Sequence, residues 1–430
     1  MRYILQVLGK IKNYERVNYT IQGKTYNAQL SSDALAHHFG GDYRIILLAP
    51  ESLVALTANS KDEAVNLLKQ WRNFEEDLRD KITSANLLES PFDVKVMQSF
   101  GKYSTRHQFD LVFNNSIDNI ISYQLMTLLN LPEQADELIV DVSTGFNTQV
   151  TALLEAIRPY IVFRKLKGLL QHEKKINVKL AFTPPVSKPG EYEIELYDYD
   201  VKAFFEYPLR NISVSSAATL LSDALPQLKR EVSEKFKERW GSFTEAIGTA
   251  KRAFNALKYN IPLAFFYDDI ISGEDRFAEC LEILFAVLDY LEKLRTIEVK
   301  EDKVVITRHR IGKQNFMNSA LTLALYSTVI KFKNEVIHSK PTTNLLRDIF
   351  KRSYESLGLQ LNERFLEKDL KDLEAKHGIN VIPFDEKRNF FAHSGLVESF
   401  IKVSVDDTNL ELQYEDDRLP IIKGWIKDPS

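Results

Sequence analysis

Cysteine is almost absent from this sequence. Cys280 is the only one in 430 residues, so no disulfide can close within one chain and no cysteine-based zinc site can form. It lies in the apolar run Cys280-Leu281-Glu282-Ile283-Leu284-Phe285 and reads as a small buried hydrophobe. No run approaches the ~18 apolar residues of a membrane span. The opening stretch Met1–Gly9 is strand-like and too short for a secretory signal, so a cytoplasmic protein without membrane association is expected. An excess of one charge is missing too: 56 Lys+Arg face 60 Asp+Glu, and no global basic field advertises nucleic acid. Any RNA contact must come from local patches, which suits a transient grip better than stable binding. Neither G-x-G-x-x-G nor G-x4-G-K-[ST] occurs, which disfavours a dinucleotide or triphosphate site. His37 and His38 are adjacent and point apart, and His107, His172, His309, His338 and His377 lack H-E-x-x-H or carboxylate spacing. No metal centre or cofactor is expected.

What is present is an ordinary globular composition, 44% hydrophobic and 27% charged, in a chain long enough for two or three domains at about 150 residues each. Tyr3–Leu8 reads as a buried strand, followed by a hairpin through Val17–Ile21 and Thr25–Leu30 with Gly23 at its turn. Ser31-Ser32 starts a short helix that Gly40-Gly41 stops, and Arg44–Ala49 is an apolar strand of the parallel kind. Ser60 and Glu63 form a capping box for a charged helix reaching about Lys81. A strand at Val94–Met97, a helix from about Phe109 to Leu129, the strand Leu138–Val142 and a helix over Thr148–Leu166 follow, with further strands near Val178–Phe182 and Tyr192–Tyr197. The alternation predicts a doubly wound, mostly parallel, Rossmann-like α/β domain over residues 1–210.

Beyond residue 210 the apolar spacing becomes helical, over Leu220–Lys237, Ser242–Leu257, Glu274–Leu294, Asn315–Lys333 and Thr343–Leu357. Hairpins at Ile297–Thr307 and Ile401–Tyr414 interrupt it. The second part, 211–430, is therefore mainly helical with β-hairpin insertions. No low-complexity linker separates it from the first, so tight packing is expected.

Two stretches carry chemistry. Arg388-Asn389-Phe390-Phe391-Ala392-His393, followed by Ser394-Gly395, puts a guanidinium, an amide and an imidazole within two helical turns. Asn389 and His393 are (i, i+4) neighbours, Arg388 is one step round, and the two phenylalanines anchor the turn. Gly395 stands where a helix-ending glycine is expected, which places His393 in the last turn, and a histidine can transfer a proton near neutral pH. The other stretch, Asp141-Val142-Ser143-Thr144-Gly145-Phe146-Asn147, leaves a buried strand, turns at a glycine and opens a helix. Such a place is suited to phosphate, although Asn147 or Thr148 acting as a simple helix cap is the bland alternative. Lys333-Asn334-Glu335-Val336-Ile337-His338 imitates the first stretch but offers lysine in place of the planar guanidinium fork, and is read as a decoy. Arg308-His309-Arg310 with Lys313 is the densest basic cluster; a solvated hairpin surface is favoured over an RNA guide.

The Arg388–His393 segment resembles the R-N-x3-H signature of HEPN ribonucleases. Together with the opening strand, Gly9…Asn13-Tyr14, Ala49-Pro50-Glu51-Ser52 and Val140-Asp141-Val142-Ser143-Thr144-Gly145…Asn147, it is similar to the CARF-HEPN ancillary ribonucleases of type III CRISPR antiviral defence, in the Csx-one branch. The resemblance implies an N-terminal CARF domain over 1–210, and a helical linker and HEPN domain over 211–430. It implies a homodimer or higher homo-oligomer allosterically activated by a cyclic oligoadenylate, with cyclic tetra-adenylate the expected ring, that cleaves single-stranded RNA. Carried over by position, Gly9, Lys10, Asn13, Ser52, Ser143, Thr144, Gly145 and Asn147 would bind the activator. Since the RNA 2′-OH can itself attack phosphorus, metal-independent cleavage to 2′,3′-cyclic phosphate and 5′-OH ends needs only proton transfer and charge stabilisation. His393 is assigned the first, Arg388 the second, and Asn389 orients the imidazole or a phosphate oxygen. The rival reading is a ligand-sensing DNA-binding transcriptional regulator, against which stands the lack of a recognition helix in a basic setting.

Overall fold

β1 (Arg2–Val7) carries apolar side chains on both faces, as a strand covered on both sides must. Tyr3, Leu5 and Val7 enter one core, Ile4 and Leu8 another. The computed structural model describes the chain except residues 1, 12–13, 41, 133–134, 144–145, 172–175, 185, 187–188, 203–213, 223, 337–338, 377–384, 407–408 and 430. After β1 comes the hairpin of β2 (Val17–Ile21) and β3 (Lys24–Ala28). Its turn residues Gln22 and Gly23 both have positive φ, 49° and 80°, as a tight two-residue hairpin turn requires. α1 (Ser31–Phe39) ends at Gly40 and leads to β4 (Tyr43–Pro50).

α2 (Val54–Thr57), α3 (Lys61–Lys69) and α4 (Trp71–Ser84) then lead to β5 (Phe92–Met97). Ser60 caps α3 as expected, accepting from the Glu63 N–H at 3.1 Å. The helix does not run through to Lys81, because Gln70 leaves the helical region at φ −126° and ψ 82°. The buried stripe of Ala64 and Leu68 resumes only at Phe74, Leu78 and Ile82, and the break lets both helices face the core. β6 (Gly101–Ser104) and β7 (Asp110–Asn114) precede α5 (Ile117–Leu129). The helix expected from Phe109 thus begins eight residues late, at a Ser116 cap. The stretch before it is recruited into a sheet by strands distant in sequence. β8 (Glu137–Asp141), α6 (Asn147–Lys167), β9 (Asn177–Phe182), β10 (Glu191–Glu193) and β11 (Glu195–Asp198) complete this half.

The main sheet has the order β11-β9-β8-β1-β4-β5 and is parallel apart from the β11–β9 edge pair. From β1 the chain builds outward through β4 and β5 on one side and through β8 and β9 on the other. Ligands of open α/β sheets settle at such a reversal, outside the carboxyl ends of the strands, here β1 and β8.

The second half contains α7 (Pro226–Lys258), α8 (Phe277–Lys293), β12 (Thr296–Val299), β13 (Lys303–Thr307), α9 (Lys313–Val336), α10 (Thr343–Leu357) and α11 (Gln360–Lys376). It closes with α12 (Glu386–Ala392), β14 (Ile401–Asp406), β15 (Asn409–Tyr414) and α13 (Leu419–Lys427). Where two helices were expected over 220–257, α7 is one helix of 33 residues. Gly241 in its middle costs about 1 kcal/mol relative to alanine. The stripe Val232, Phe236, Trp240, Phe243 and Ile247, all buried, outweighs it.

Three features lock the halves together. β13 pairs in parallel with β7, so a hairpin from the second half completes the four-stranded sheet β12-β13-β7-β6. α7 and α9 each contribute to two cores: Phe316, Ala320 and Leu323 of α9 pack with the sheet-covering helices, while Leu325, Val329 and Phe332 pack with α10 and the C-terminal elements. Third, Arg308, immediately after β13, is 7% exposed rather than solvated. Its guanidinium grips Glu51, which follows β4, at 2.7 and 2.8 Å, and Glu292 on α8 at 2.8 and 2.9 Å. Ser99 N–H and Gln98 Nε2 add further donors to these carboxylates, as buried charges require. The basic cluster expected on the surface therefore has its first arginine inside the junction.

Candidate active site

α12 owes its position to one buried ring. Asp385 caps it, accepting from the Arg388 N–H at 2.9 Å. Phe390 is fully buried among Phe400, Trp425 and Tyr414, with ring centroids 5.5, 5.5 and 6.1 Å away, and Phe391 packs on Tyr259 at 5.1 Å. With that face fixed inward, Arg388 is turned to solvent and His393 is partly exposed. The helix is shorter than the spacing suggested: His393 is the C-cap itself, and Ser394 and Gly395 follow with φ of 56° and 70°. The Gly395 N–H then reaches back to the Phe390 carbonyl at 2.8 Å. A Cβ at Gly395 would lie 2.7 Å from the Tyr414 hydroxyl and 2.9 Å from Ile261, so only glycine fits this turn.

Among the described residues the Arg388 side chain makes no hydrogen bond or ion pair. His393 Nδ1 faces Asp369 Oδ1 on α11 at 3.5 Å. Asp369 is 3% exposed, and its other oxygen accepts from Ser394 Oγ at 2.6 Å. Ser394 Oγ in turn accepts from Asn260 Nδ2 at 2.7 Å. Burial pushes the Asp369 carboxyl above the usual carboxylate range, while the Ser394 hydrogen bond and the His393 charge pull it down. Asp369, Ser394 and Asn260 were missed by motif reading. One signal was available: Leu366, Leu370 and Leu373 line the buried face of α11, and Asp369 shares that face, an acid where a hydrophobe belongs.

The other expected residues lie at the carboxyl edge of the main sheet. Gly9 and Lys10 follow β1, and the Gly9 N–H donates to the Tyr14 hydroxyl at 2.6 Å. Ser143 follows β8; its hydroxyl donates to the Ala181 carbonyl at 3.3 Å and accepts from the Thr183 N–H at 2.6 Å. Asn147 is the exposed first residue of α6, whose N-cap is Phe146 with no side-chain cap. Among the described residues no side chain caps this helix, Asn147 and Thr148 included, and the Gln149 and Val150 N–H groups both donate to the Phe146 carbonyl at 2.8 and 3.0 Å. Ser52 sits after β4, 2% exposed, with its N–H on Ser99 Oγ at 3.0 Å. Asp141 is fully buried, bonded by Ser31 Oγ and the Ser143 N–H. Burial raises its carboxyl pKa, and those hydrogen bonds oppose the shift. The sheet register thus brings Gly9, Lys10, Ser143 and Asn147 to adjacent strand ends, with Ser52 beneath the surface. Asn13, Thr144 and Gly145 lie outside the described residues.

The fold and this pair of regions define a class: a Rossmann-like α/β domain joined to a helical domain that carries an R-N-x3-H turn. Comparison with protein families finds two matches: CRISPR system endoribonuclease Csx1, CARF domain, over residues 3–185, and the HEPN domain of the same endoribonuclease over residues 326–416. The chain belongs to the Csx1-type CARF-HEPN ribonucleases of CRISPR systems. The HEPN match takes in α10 to α12 and β14–β15, and with them both His393 and Asp369. Between the two matches lie β10, β11, α7, α8 and the β12–β13 hairpin. No curated protein matches the chain.

Proposed function

We propose that this chain is an endoribonuclease that a cyclic oligoadenylate switches on, cutting single-stranded RNA without a metal ion in type III CRISPR defence. The sensor domain comprises residues 1–210, and the helical linker with the HEPN domain 211–430. The observation that carries the reading is the presentation of Arg388 and His393 on the outward side of a turn whose inner side Phe390 fixes. In the reaction the RNA 2′-oxygen forms a bond to phosphorus while the bond to the 5′-oxygen breaks. An imidazole takes the 2′-proton and an imidazolium supplies one to the departing oxygen. Arg388 stabilises the charge on the pentavalent phosphorus, and Asn389 orients the imidazole or a phosphate oxygen. One His393 per protomer makes a site composed from two copies the natural arrangement. A homodimer or higher homo-oligomer also lets a ring-shaped ligand meet two equivalent edges, each with Gly9, Lys10, Asn13, Ser52, Ser143, Thr144, Gly145 and Asn147.

Labelled RNA mixed with the protein in excess EDTA, with and without cyclic tetra- or hexa-adenylate, tests this directly. Activator-dependent cleavage that leaves 2′,3′-cyclic phosphate and 5′-OH ends is expected. Cleavage that appears only on adding Mg2+, or that is equally fast without activator, would overturn the proposal.

A further inference from the structure

We infer that Asp369 is the positioning residue for His393: its carboxylate accepts from Nδ1–H, keeps the proton on that nitrogen and leaves Nε2 to face the RNA. The inference concerns how the turn works and rests on the ribonuclease reading only for its kinetic arm. Asp369 divides its two oxygens, Oδ2 to Ser394 Oγ at 2.6 Å and Oδ1 toward His393 Nδ1 at 3.5 Å. The carboxylate is itself held: Ser394 is tied to Asn260, and the left-handed pair Ser394-Gly395 locks the peptide that follows His393. The imidazole is therefore approached from inside the protein at Nδ1, by a carboxylate that is itself buried, while about a third of the His393 side chain stays exposed. Such a partner sets the tautomer, because the ring nitrogen that faces a carboxylate is the one that keeps its proton. Among the described residues, Lys368 precedes Asp369 on α11 and adds a positive charge beside this carboxylate, and the buried hydroxyl of Tyr414 from β15 lies near Gly395. Neither takes the place of the carboxylate at Nδ1.

The first measurement needs no catalysis. In protein labelled with 15N-histidine, the His393 signals are identified by their loss in His393→Ala, and their shifts above about pH 8 report which nitrogen carries the proton. Nδ1–H with Nε2 bare is expected in the wild type, and loss of that preference in Asp369→Asn. At saturating activator, Asp369→Asn should lower kcat about 100-fold. KM for RNA and the activation midpoint should stay within about twofold. A wild-type His393 protonated on Nε2, or an Asp369→Asn enzyme that keeps the wild-type tautomer and kcat, overturns the assignment. If Asp369→Asn fails to fold, the wild-type tautomer alone decides. A wild type that shows the Nδ1–H tautomer yet cuts no RNA overturns the ribonuclease reading and leaves the positioning contact standing.

Discussion

The carboxyl edge of the main sheet and the turn at α12 both gather polar residues, but the protein itself bonds several of those at the sheet edge, while Arg388 at α12 reaches outward. Ser143 bridges β8 to β9, Ser52 gives its backbone N–H to Ser99 Oγ, and Asp141 is bonded by Ser31 and Ser143. What the edge leaves open is the start of α6, which no side chain caps, and the exposed side chains of Lys10 and Asn147. A site built from backbone N–H groups recognises an anion through many small contributions. At α12 the reverse holds, since the main chain is spent on its cap and its closing turn while the Arg388 side chain is exposed and His393 is partly so. Substitution should therefore give graded effects at the edge and an all-or-none effect at the turn.

The largest expected effect is at the turn. Arg388→Ala or His393→Ala should reduce RNA cleavage at saturating activator by about 10³-fold or more, within the range for losing a proton-transfer group or a transition-state charge partner. Melting temperature and activator binding should be preserved, because neither side chain contributes to the core around Phe390. Cleavage retained in His393→Ala would move the chemistry elsewhere. At the edge, Asn147→Ala and Thr144→Ala should raise the activation midpoint about tenfold, near 1.4 kcal/mol, with full cleavage recovered at high ligand. Equal cleavage by wild type and both variants at low activator would break the link between the two regions. That link has a physical route in α7 and α9, which enter both cores, and in Arg308, which ties Glu51 beside Ser52 to α8.

How much of this was legible in the sequence depended on how local the cause was. The parallel strands, the Ser60 capping box and the α12 turn are each written in a few consecutive residues, and each is found where the pattern placed it. β7 was read as helix because Leu111 and Phe113 alternate over only five residues and run directly into the apolar spacing of α5, while the strands that claim it, β6 and β13, are supplied by distant sequence. Arg308 looked like a surface charge because its two carboxylates lie 257 and 16 residues away. Asp369 escaped for the same reason. It acts on His393 from another helix, and its only local trace is an acid on the leucine face of α11.

The smallest expected effect on cleavage belongs to the stretch that imitates the active turn. Lys333 occupies the place of Arg388 in Lys333-Asn334-Glu335-Val336-Ile337-His338, and His338 lies outside the described residues. Near the end of α9 the Lys333 ammonium is 6% exposed, bonded to Asp268 and to the Ile271 carbonyl. A charge spent on holding an internal carbonyl cannot meet a phosphate, whereas Arg388 has nothing comparable to release. Lys333→Ala should leave cleavage per folded molecule within about twofold of wild type. It should lower stability by about 1–3 kcal/mol, because the Ile271 carbonyl loses its partner inside the protein while Asp268, largely exposed, turns to water. Thermal melting beside a single-turnover cleavage assay separates the two quantities. Loss of cleavage in a variant that melts like the wild type would mean that this stretch, and not the turn at α12, handles the RNA.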